Sequence, residues 1–283
     1  MNELLLGAHM SIAGGIPRAA ERAADLGCNA LQIFVKNSNR WTGREISADE
    51  AREFKTLCRE KNILATAAHS SYLINLASPD ENLRRKSIGA FIDELQRCSL
   101  LGVGPLVIHP GSHRGEGVAA GIGYILESLT RVLDQFEGGV PIALEITAGQ
   151  GNSVGHRFEH LRDIISGMSG HESINVCLDT CHMFAAGYDI RTEEAYQKTM
   201  EEFDRVIGME RLSLIHLNDS LKPLDSRIDR HEHIGLGCIG DQGFKNLITD
   251  RRFEKISKIL ETPKDRNGMG DRDNLKKLRD FYS

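Results

Sequence analysis

Short apolar segments rich in valine, isoleucine and leucine recur along the chain, and longer stretches with helical spacing of apolar residues separate most of them. Near-continuous apolar runs of this length are typical of parallel strands covered on both faces. The pattern therefore predicts an alternation of buried strands and surface helices. The eight strand candidates are residues 4–9, 30–35, 63–69, 105–109, 141–147, 174–180, 212–217 and 256–262.

Two of the intervening stretches predict helices most clearly. In residues 81–101, apolar side chains from Leu83 to Leu100 recur at helical spacing. The stretch at 192–207 opens with Thr192, whose hydroxyl can accept hydrogen bonds from the free N–H groups of a first turn. Two glutamates follow it, at positions where a helix favours negative charge.

Eight strands alternating with helices predict an α/β fold, a (β/α)8 TIM barrel with its active site at the C-terminal face of the strands. The length of 283 residues suits one such domain, which typically has ~250 residues, and we find neither an internal repeat nor a linker. We therefore expect a single catalytic domain over residues 1–283. A doubly wound open sheet is the alternative, but its usual glycine-rich turn, GxGxxG, does not match residues 9–15 after the first strand.

The composition, 40% hydrophobic and 27% charged, is that of a soluble globular protein. The first seven residues carry no basic region and too short an apolar run for a signal peptide, and no run approaches the ~20 apolar residues of a membrane span. We expect no membrane partner and a cytoplasmic location. The six cysteines are scattered, and we expect reduced thiols in the core rather than disulfides.

The formal net charge of −5 argues against a nucleic-acid partner, which usually requires a basic surface. Three bound divalent cations would outweigh this charge before any local basic loop is counted. The net charge of the chain therefore does not decide which class of partner it binds.

Most of the strand candidates end in a residue that can bind a metal. The carboxyl ends of barrel strands face the active site, so residues far apart in sequence converge there. A single histidine at a strand end is ordinarily a hydrogen-bonded core or surface residue. A pocket that gathers several carboxylates and imidazoles, however, is costly without cations. The six residues are His69, His109, Glu145, Asp179, His216 and Glu261.

Two short motifs enlarge this set. Asp179 and His182 can reach one site from a tight loop, and Asp229 and His231 point to the same side of an extended segment. Five histidines, two aspartates and two glutamates suit zinc and, less well, manganese or iron. Cys181 is a possible soft ligand that we interpret as a packing residue. Nine ligands fit two or three ions with a bridging carboxylate, an arrangement that recurs in phosphate-ester hydrolysis.

Several of these segments resemble endonuclease IV, the family-2 apurinic/apyrimidinic endonucleases. Residues 144–151 (LEITAGQG), 177–182 (CLDTCH) and 216–219 (HLND) look like its three signature segments, and the likeness runs from Gly7 to Thr262. The resemblance implies a TIM barrel that holds three zinc ions, with manganese as a possible substitute. Further matching segments are residues 69–76, 109–113 and 229–231.

The resemblance also assigns the ligands to three ions. The first would take His69, His109 and Glu145, the second Glu145, Asp179, His216 and Glu261, and the third His182, Asp229 and His231. The implied reaction is cleavage of the phosphodiester 5′ to an abasic site in double-stranded DNA, leaving a 3′-hydroxyl and a 5′-deoxyribose phosphate. Removal of blocking groups from 3′ ends is implied as well. Glu145 would orient and deprotonate the attacking water.

The family recognises its lesion with side chains that enter the DNA stack while the abasic nucleotide, which has no base to unstack, flips into the pocket. Tyr72 and Leu73 match this wedge. Asn39 stands where the family's Lys-Asn-x-Arg-x-Trp segment usually has arginine, so either Arg40 takes over or this DNA contact is weaker. We expect a monomer. The candidate phosphate contacts, whose alternative role is ordinary surface charge, are Lys36, Arg40, Arg44, Arg227 and Arg230.

A sugar isomerase or epimerase on the same barrel is the main alternative, because such enzymes also place histidines and carboxylates around one or two divalent ions. They need fewer ligands and a closed, sugar-sized pocket, so residues 229–231 and the loop at 72–73 favour the nuclease. A zinc-stabilised binding protein is a third hypothesis. Structural zinc sites usually have cysteine-rich tetrahedral ligand sets, which this sequence does not contain.

Overall fold

In a computed structural model, the chain folds into a closed barrel of parallel strands surrounded by helices, which confirms the predicted TIM barrel. The structure describes residues 4–264 and 269–282. Each predicted strand is present with bounds close to those expected. The barrel strands are β1 (Leu6–Met10), β2 (Ala30–Phe34), β3 (Ala65–His69), β4 (Leu106–Ile108), β5 (Ile142–Glu145), β6 (Ile174–Asp179), β7 (Leu212–Leu217) and β8 (Ser257–Leu260).

The barrel closes because its first and last strands pair. Neighbouring strands run parallel in chain order from β1 to β8, and β1 also pairs with β8, with Ala8 opposite Leu260. Gly7 belongs to a tightly packed interior, since a Cβ atom there would lie 1.8 Å from the carbonyl oxygen of Ala30. A packed interior of this kind leaves the rim of the barrel as the place for a polar site. The other strands contribute Ala30, Ala67, Val107, Ala143, Cys177, Leu214 and Ile259 to one buried layer.

Helices cover the outside of the barrel. The predicted helix at 81–101 is present, capped by the Asp80 carboxylate at its start and ended by Gly102 in a left-handed conformation. The helix predicted at 192–207 also forms, and the Thr192 hydroxyl caps it. None of the described helices is long and apolar enough to cross a membrane. The helices are α1 (Pro17–Asp25), α2 (Ala48–Glu60), α3 (Glu81–Leu101), α4 (Val118–Leu133), α5 (Phe158–Gly167), α6 (Thr180–Ala185), α7 (Glu193–Val206), α8 (Gly240–Ile248) and α9 (Met269–Tyr282), with 3-10 turns at Met209–Arg211 and Arg251–Phe253.

Two short antiparallel strand pairs stand at the carboxyl end of the barrel. Gly111–Ser112 pairs with Ser153–Val154, and Asp219–Ser220 pairs with His231–Glu232. Asp219 is fully buried and stabilises the second strand pair. Its carboxylate accepts hydrogen bonds from the next backbone N–H and from several N–H groups that follow this strand pair in the chain. These donors are Ser220, Gly235, Gly237, Ile239 and Gly240.

The cysteines of the chain are free thiols. Five of them are buried, as expected, and burial raises the pKa of one of these thiols, Cys177, to about 12. Cys238 is exposed, so the expectation of a core thiol is wrong at this position. It lies in the loop between the strand His231–Glu232 and α8. This loop has no periodic pattern from which burial could be predicted.

Candidate metal centre

The six residues predicted at strand ends lie together at the carboxyl rim of the barrel, one from each of the consecutive strands β3 to β8. The last residues of their strands are His69, Glu145 and Asp179. Two residues directly follow a strand, His109 and Glu261, and His216 lies one residue before the end of its strand. Parallel strands of a barrel all end at one rim, which is why residues so distant in sequence meet.

The other three candidates come from the two short motifs. The motif from Asp179 to His182 begins helix α6, whereas we expected a tight loop. The Asp179 carboxylate caps this helix by accepting a hydrogen bond from the His182 N–H over 2.8 Å. Six helical residues are too few to show a helical period in the sequence. His231 begins the strand His231–Glu232, and Asp229 lies two residues before it in the preceding loop.

The nine side chains form three groups, and within each group the ligand atoms lie within 4.8 Å of one another. Cys181, which we interpreted as a packing residue, lies within the same distance of Asp179 and His231. Glu145 belongs to two groups. Its Oε2 atom lies 3.0 Å from His69 Nε2 and 3.1 Å from His109 Nε2, and its Oε1 atom lies 3.2 Å from His216 Nδ1. A carboxylate whose two oxygens face different groups is placed as a bridge between them. The groups are His69, His109 and Glu145; Glu145, Asp179, His216 and Glu261; and His182, Asp229 and His231.

Backbone carbonyls orient three of the imidazoles. His69, His182 and His231 each direct Nδ1 at a carbonyl oxygen, over 2.8, 3.0 and 3.1 Å. A carbonyl only accepts, so Nδ1 carries the proton and the Nε2 lone pair faces the groups. His231 Nε2 is buried without a hydrogen-bond partner among the described residues. Inward lone pairs and a buried nitrogen without a partner fit metal ligation.

The electrostatics of the cluster favour positive charge. Burial acts to raise the pKa of the Glu145 carboxyl, but His109 and His216 outweigh it and hold that pKa well below its usual range. Burial acts to lower the pKa of His182, yet Asp179 and the other carboxylates around it raise that pKa well above its ordinary value. Four carboxylates thus attract either protons onto the imidazoles or divalent cations, and this mixture of donors suits zinc.

An open groove lies over the first and third groups. Its walls include the ligands His109, His182 and Asp229 together with the predicted wedge residues Tyr72 and Leu73. Tyr72 is 66% exposed, and its ring packs edge-to-face on Phe34 with centroids 5.5 Å apart. Leu73 is half-buried. The structure therefore brings the wedge residues to the mouth of the metal centre.

Two of the predicted phosphate contacts lie near this groove. Arg230 lines it, and its guanidinium donates a hydrogen bond to the carbonyl oxygen of Asp229 over 2.8 Å. Arg227 precedes it in the same loop and forms an ion pair with Asp225 over 3.0 Å. Both remain predictions as DNA contacts, and Arg230 has the more direct access.

The loop after β2 carries the next two candidates. Asn39 is exposed, and its N–H donates to the side chain of Asn37 over 2.9 Å, which tightens the turn. Arg40 is exposed and faces a cavity separate from the groove. Arg44 lines the same cavity and forms an ion pair with Glu50 of α2. Neither arginine belongs to the described lining of the groove.

Lys36 requires a correction. Its side chain is buried, and its ammonium lies 2.7 Å from Glu94 Oε1 on α3. A lysine whose charge is neutralised in the interior is not available to phosphate, so the predicted DNA contact is wrong. The sequence did not show this because nothing local to Lys36 identifies its partner.

Sequence analysis missed polar residues that support the ligands. Asn218 donates a hydrogen bond to Asp179 Oδ2 over 2.6 Å and accepts one from the Glu261 N–H over 2.8 Å. Gln32 and His9 lie beside the second group as well. The signal that was available is the position of Gln32 and His9 in apolar strands, where a polar side chain needs a buried partner.

Residues 20–282 match the protein family described as xylose isomerase-like TIM barrel. Probable endonuclease 4 of Chloroflexus aurantiacus is 48% identical over 274 residues, which cover 96% of this chain and 96% of that protein. Probable endonuclease 4 of Geotalea daltonii is 49% identical over 279 residues, covering 98% and 97%.

Solved structures extend this comparison. The crystal structure of endonuclease IV from Thermus thermophilus has a TM-score of 0.86 and 37% sequence identity, covering 98% of both chains. A D-psicose 3-epimerase from Clostridium cellulolyticum has a TM-score of 0.69 over 99% of this chain and 98% of that one, but only 16% identity, which shows a shared fold alone. The identity over nearly the whole chain shows that this protein belongs to the endonuclease IV family of xylose isomerase-like TIM barrels.

Proposed function

We propose that the protein is a metal-dependent endonuclease of DNA repair. It would hydrolyse the phosphodiester 5′ to an abasic site in double-stranded DNA, leaving a 3′-hydroxyl and a 5′-deoxyribose phosphate. It would also remove blocking groups from 3′ ends. The observation that carries the proposal is the convergence of nine ligand side chains in three groups, of which the first and third line an open groove. The relatives named endonuclease 4 support the nuclease class.

The donor set fits three zinc ions, with manganese as a possible substitute. We assign one ion to each of the three groups described above, with Glu145 shared by the first two. Divalent ions bound there would polarise the phosphodiester, lower the pKa of a water and neutralise the charge that develops in the transition state.

Glu145 has the central role among the residues of the chain. Its pKa lies well below the usual range despite burial, so the carboxylate is ionised at neutral pH and can accept a hydrogen bond from the attacking water. As the water oxygen bonds to phosphorus, its proton passes to the Glu145 carboxylate, and the bond between phosphorus and the 3′-oxygen of the preceding nucleotide breaks. That oxygen leaves with the bonding electron pair and takes up a proton from solvent to become the 3′-hydroxyl, and Glu145 releases its proton to solvent. We propose that the third group, His182, Asp229 and His231, lies beside this leaving oxygen.

The groove suits a duplex better than a sugar. Tyr72 projects an exposed ring beside the metal centre, where it would occupy the space vacated by a flipped abasic nucleotide. An epimerase would need a closed pocket around its substrate and fewer ligands, whereas this groove is open and the third group adds His182, Asp229 and His231. We further propose that the enzyme acts as a cytoplasmic monomer.

Cleavage of a defined duplex tests the proposal. We expect the zinc-loaded protein, with about three zinc ions per chain by mass spectrometry, to nick a duplex at a tetrahydrofuran abasic analogue and leave an undamaged duplex intact. A strong chelator should abolish the nicking, and added zinc should restore it. Metal-replete protein that isomerises ketoses but leaves the abasic duplex whole would overturn the nuclease in favour of the epimerase.

A further inference from the structure

Gln32 lies on β2, a strand from which no side chain enters the three groups, and it is fully buried. A buried amide is stable only when its donors and acceptor are paired. The partners of Gln32 are the side chains of His9, His216 and Glu261, and the last two belong to the second group. A residue outside the ligand set therefore contacts two of its members directly.

Only one orientation of the Gln32 amide satisfies these contacts. Its Nε2 atom lies 2.6 Å from Glu261 Oε1, and its Oε1 atom lies 2.8 Å from His216 Nε2. Turning the amide over would place its oxygen against a carboxylate oxygen, two acceptors with no proton between them. The Glu261 carboxylate therefore requires the NH2 group on its own side, which leaves the amide oxygen facing His216.

The amide oxygen determines which nitrogen of His216 carries the proton. Since that oxygen only accepts, His216 must donate from Nε2, and its Nδ1 lone pair is left for the second group. This nitrogen lies 3.2 Å from Glu145 Oε1 and 3.3 Å from Glu261 Oε2. His216 thus presents Nδ1 to its group, whereas His69 presents Nε2 to the first group because a backbone carbonyl accepts a hydrogen bond from its Nδ1.

The remaining N–H of the amide explains the role of His9. It points at His9 Nδ1 over 3.0 Å, so this nitrogen accepts and is occupied. His9 ends the first apolar run of the sequence, and it belongs to none of the three groups. Its ring instead holds the amide from the side opposite to His216.

We propose that Gln32 is a positioning residue for the second group: it keeps the His216 proton on Nε2 and turns the Glu261 carboxylate so that both present their ligand atoms to one divalent cation. This inference rests on the proposed metal centre and names a residue that controls it. Loss of such a supporting contact typically lowers metal affinity roughly 10–100-fold.

The test compares Gln32→Met with Asn29→Leu. Methionine keeps the length of the side chain and removes all three hydrogen bonds. Asn29 is a matched control, because its side-chain amide also makes partly buried hydrogen bonds, one with the backbone N–H of Leu6 and one with the backbone carbonyl of Leu4. These contacts lie at the amino end of β2, away from the rim. Zinc affinity is measured by competition with chelators of graded strength, and thermal unfolding is followed in parallel. We expect Gln32→Met to bind one of its three zinc ions roughly 10–100-fold more weakly than the wild type does, so that this ion is lost while the free zinc concentration is still higher by that factor. Asn29→Leu should bind all three ions as the wild type does.

A spectroscopic measurement separates positioning from general stability. In the zinc-loaded wild type with 15N-labelled histidine, nuclear magnetic resonance should show His216 bound through Nδ1 and protonated at Nε2. Gln32→Glu, which keeps the acceptor for His216 but cannot donate to Glu261, should preserve this signature while lowering affinity, and it serves if Gln32→Met does not fold. Wild-type affinity in a folded Gln32→Met protein, or equal zinc loss in Asn29→Leu, would overturn the role of Gln32 alone. A wild type that binds no zinc would overturn the metal centre itself.

Discussion

The ammonium of Lys36 lies 2.7 Å from Glu94 Oε1 in the protein interior, where each side chain is only 1–2% exposed. Lys36 directly precedes the loop that carries Asn39. Both Glu94 oxygens also lie 3.2 Å from the backbone nitrogen of Ser71, the residue before Tyr72. One buried ion pair therefore holds two loops of the barrel rim, one of which carries the proposed wedge.

We expect Glu94→Leu to destabilise the protein by up to about 3–5 kcal/mol, because it leaves the buried Lys36 charge with only the longer contact to Asp93 Oδ2, at 3.5 Å. The measurement is equilibrium unfolding in urea. The double variant Lys36→Met/Glu94→Leu removes both charges and should recover much of the loss. Equal stability of Glu94→Leu and wild type would show that the ion pair is not needed to hold this region.

Glu145→Gln should reduce cleavage of an abasic duplex by about 10²–10⁴-fold or more, since the amide cannot take a proton from the attacking water. Binding of the duplex, measured by fluorescence anisotropy, should survive because the groove walls are unchanged. Glu137→Gln, which removes the same charge at an exposed position, is the control. Near-normal turnover by Glu145→Gln would rule out the proposed role.

Asn39→Arg should tighten binding to abasic DNA and increase the number of phosphate contacts by about one, read from the slope of log affinity against log salt concentration. Asn39 is exposed on the loop after β2, so the longer side chain has room to extend. The control is Gln242→Arg, which adds the same charge to an exposed position on α8. If both variants bind alike, the family's usual arginine has no special role at this loop.

Lys258 should give the folded state a distinctive dependence on pH. Its side chain is buried at the start of β8 and donates to the carbonyl oxygens of Phe253 and Ile256. Burial lowers the pKa of Lys258 to about 8, below the ~10.4 of an unfolded lysine. Between these values the unfolded chain binds more protons, so rising pH stabilises the fold through this residue. Below pH ~8 the folded state carries the whole penalty, on the order of 3 kcal/mol.

Comparison with Lys258→Met isolates this effect from the cysteines and tyrosines that titrate in the same range. The unfolding free energy of wild type minus that of the variant should rise between about pH 8 and 10 and stay level between about pH 6 and 7.5. The variant also loses two hydrogen bonds, so the change with pH is the observable. A constant difference across this range would contradict the lowered pKa.

The barrel was predictable because its signals are local. Each strand is an apolar run, and helices such as α3 carry both a helical period and their own caps at Asp80 and Gly102. The placement of His69 and Glu261 at the same end of the barrel followed from one topological rule, that parallel strands end at one rim. Residue type and position within a run were sufficient for both inferences.

The contacts that were missed depend on barrel closure. Gln32 meets His216 across 184 residues of sequence, and nothing near either residue identifies the other. Lys36 looked like a surface charge for the same reason, because its partner Glu94 lies far along the chain on α3. Partners of buried polar groups are chosen by the packed fold, whereas apolar patterning reports only that a position is buried.

Barrel closure also sets the time at which the proposed activity can begin. Glu261 directly follows β8, the strand that must pair with β1 to close the barrel. Any chain that stops before β8 lacks both this ligand and the closing strand, although it already contains the other eight candidates. A nascent chain on the ribosome therefore cannot assemble the complete centre, and DNA is exposed to this nuclease only after synthesis has passed Glu261.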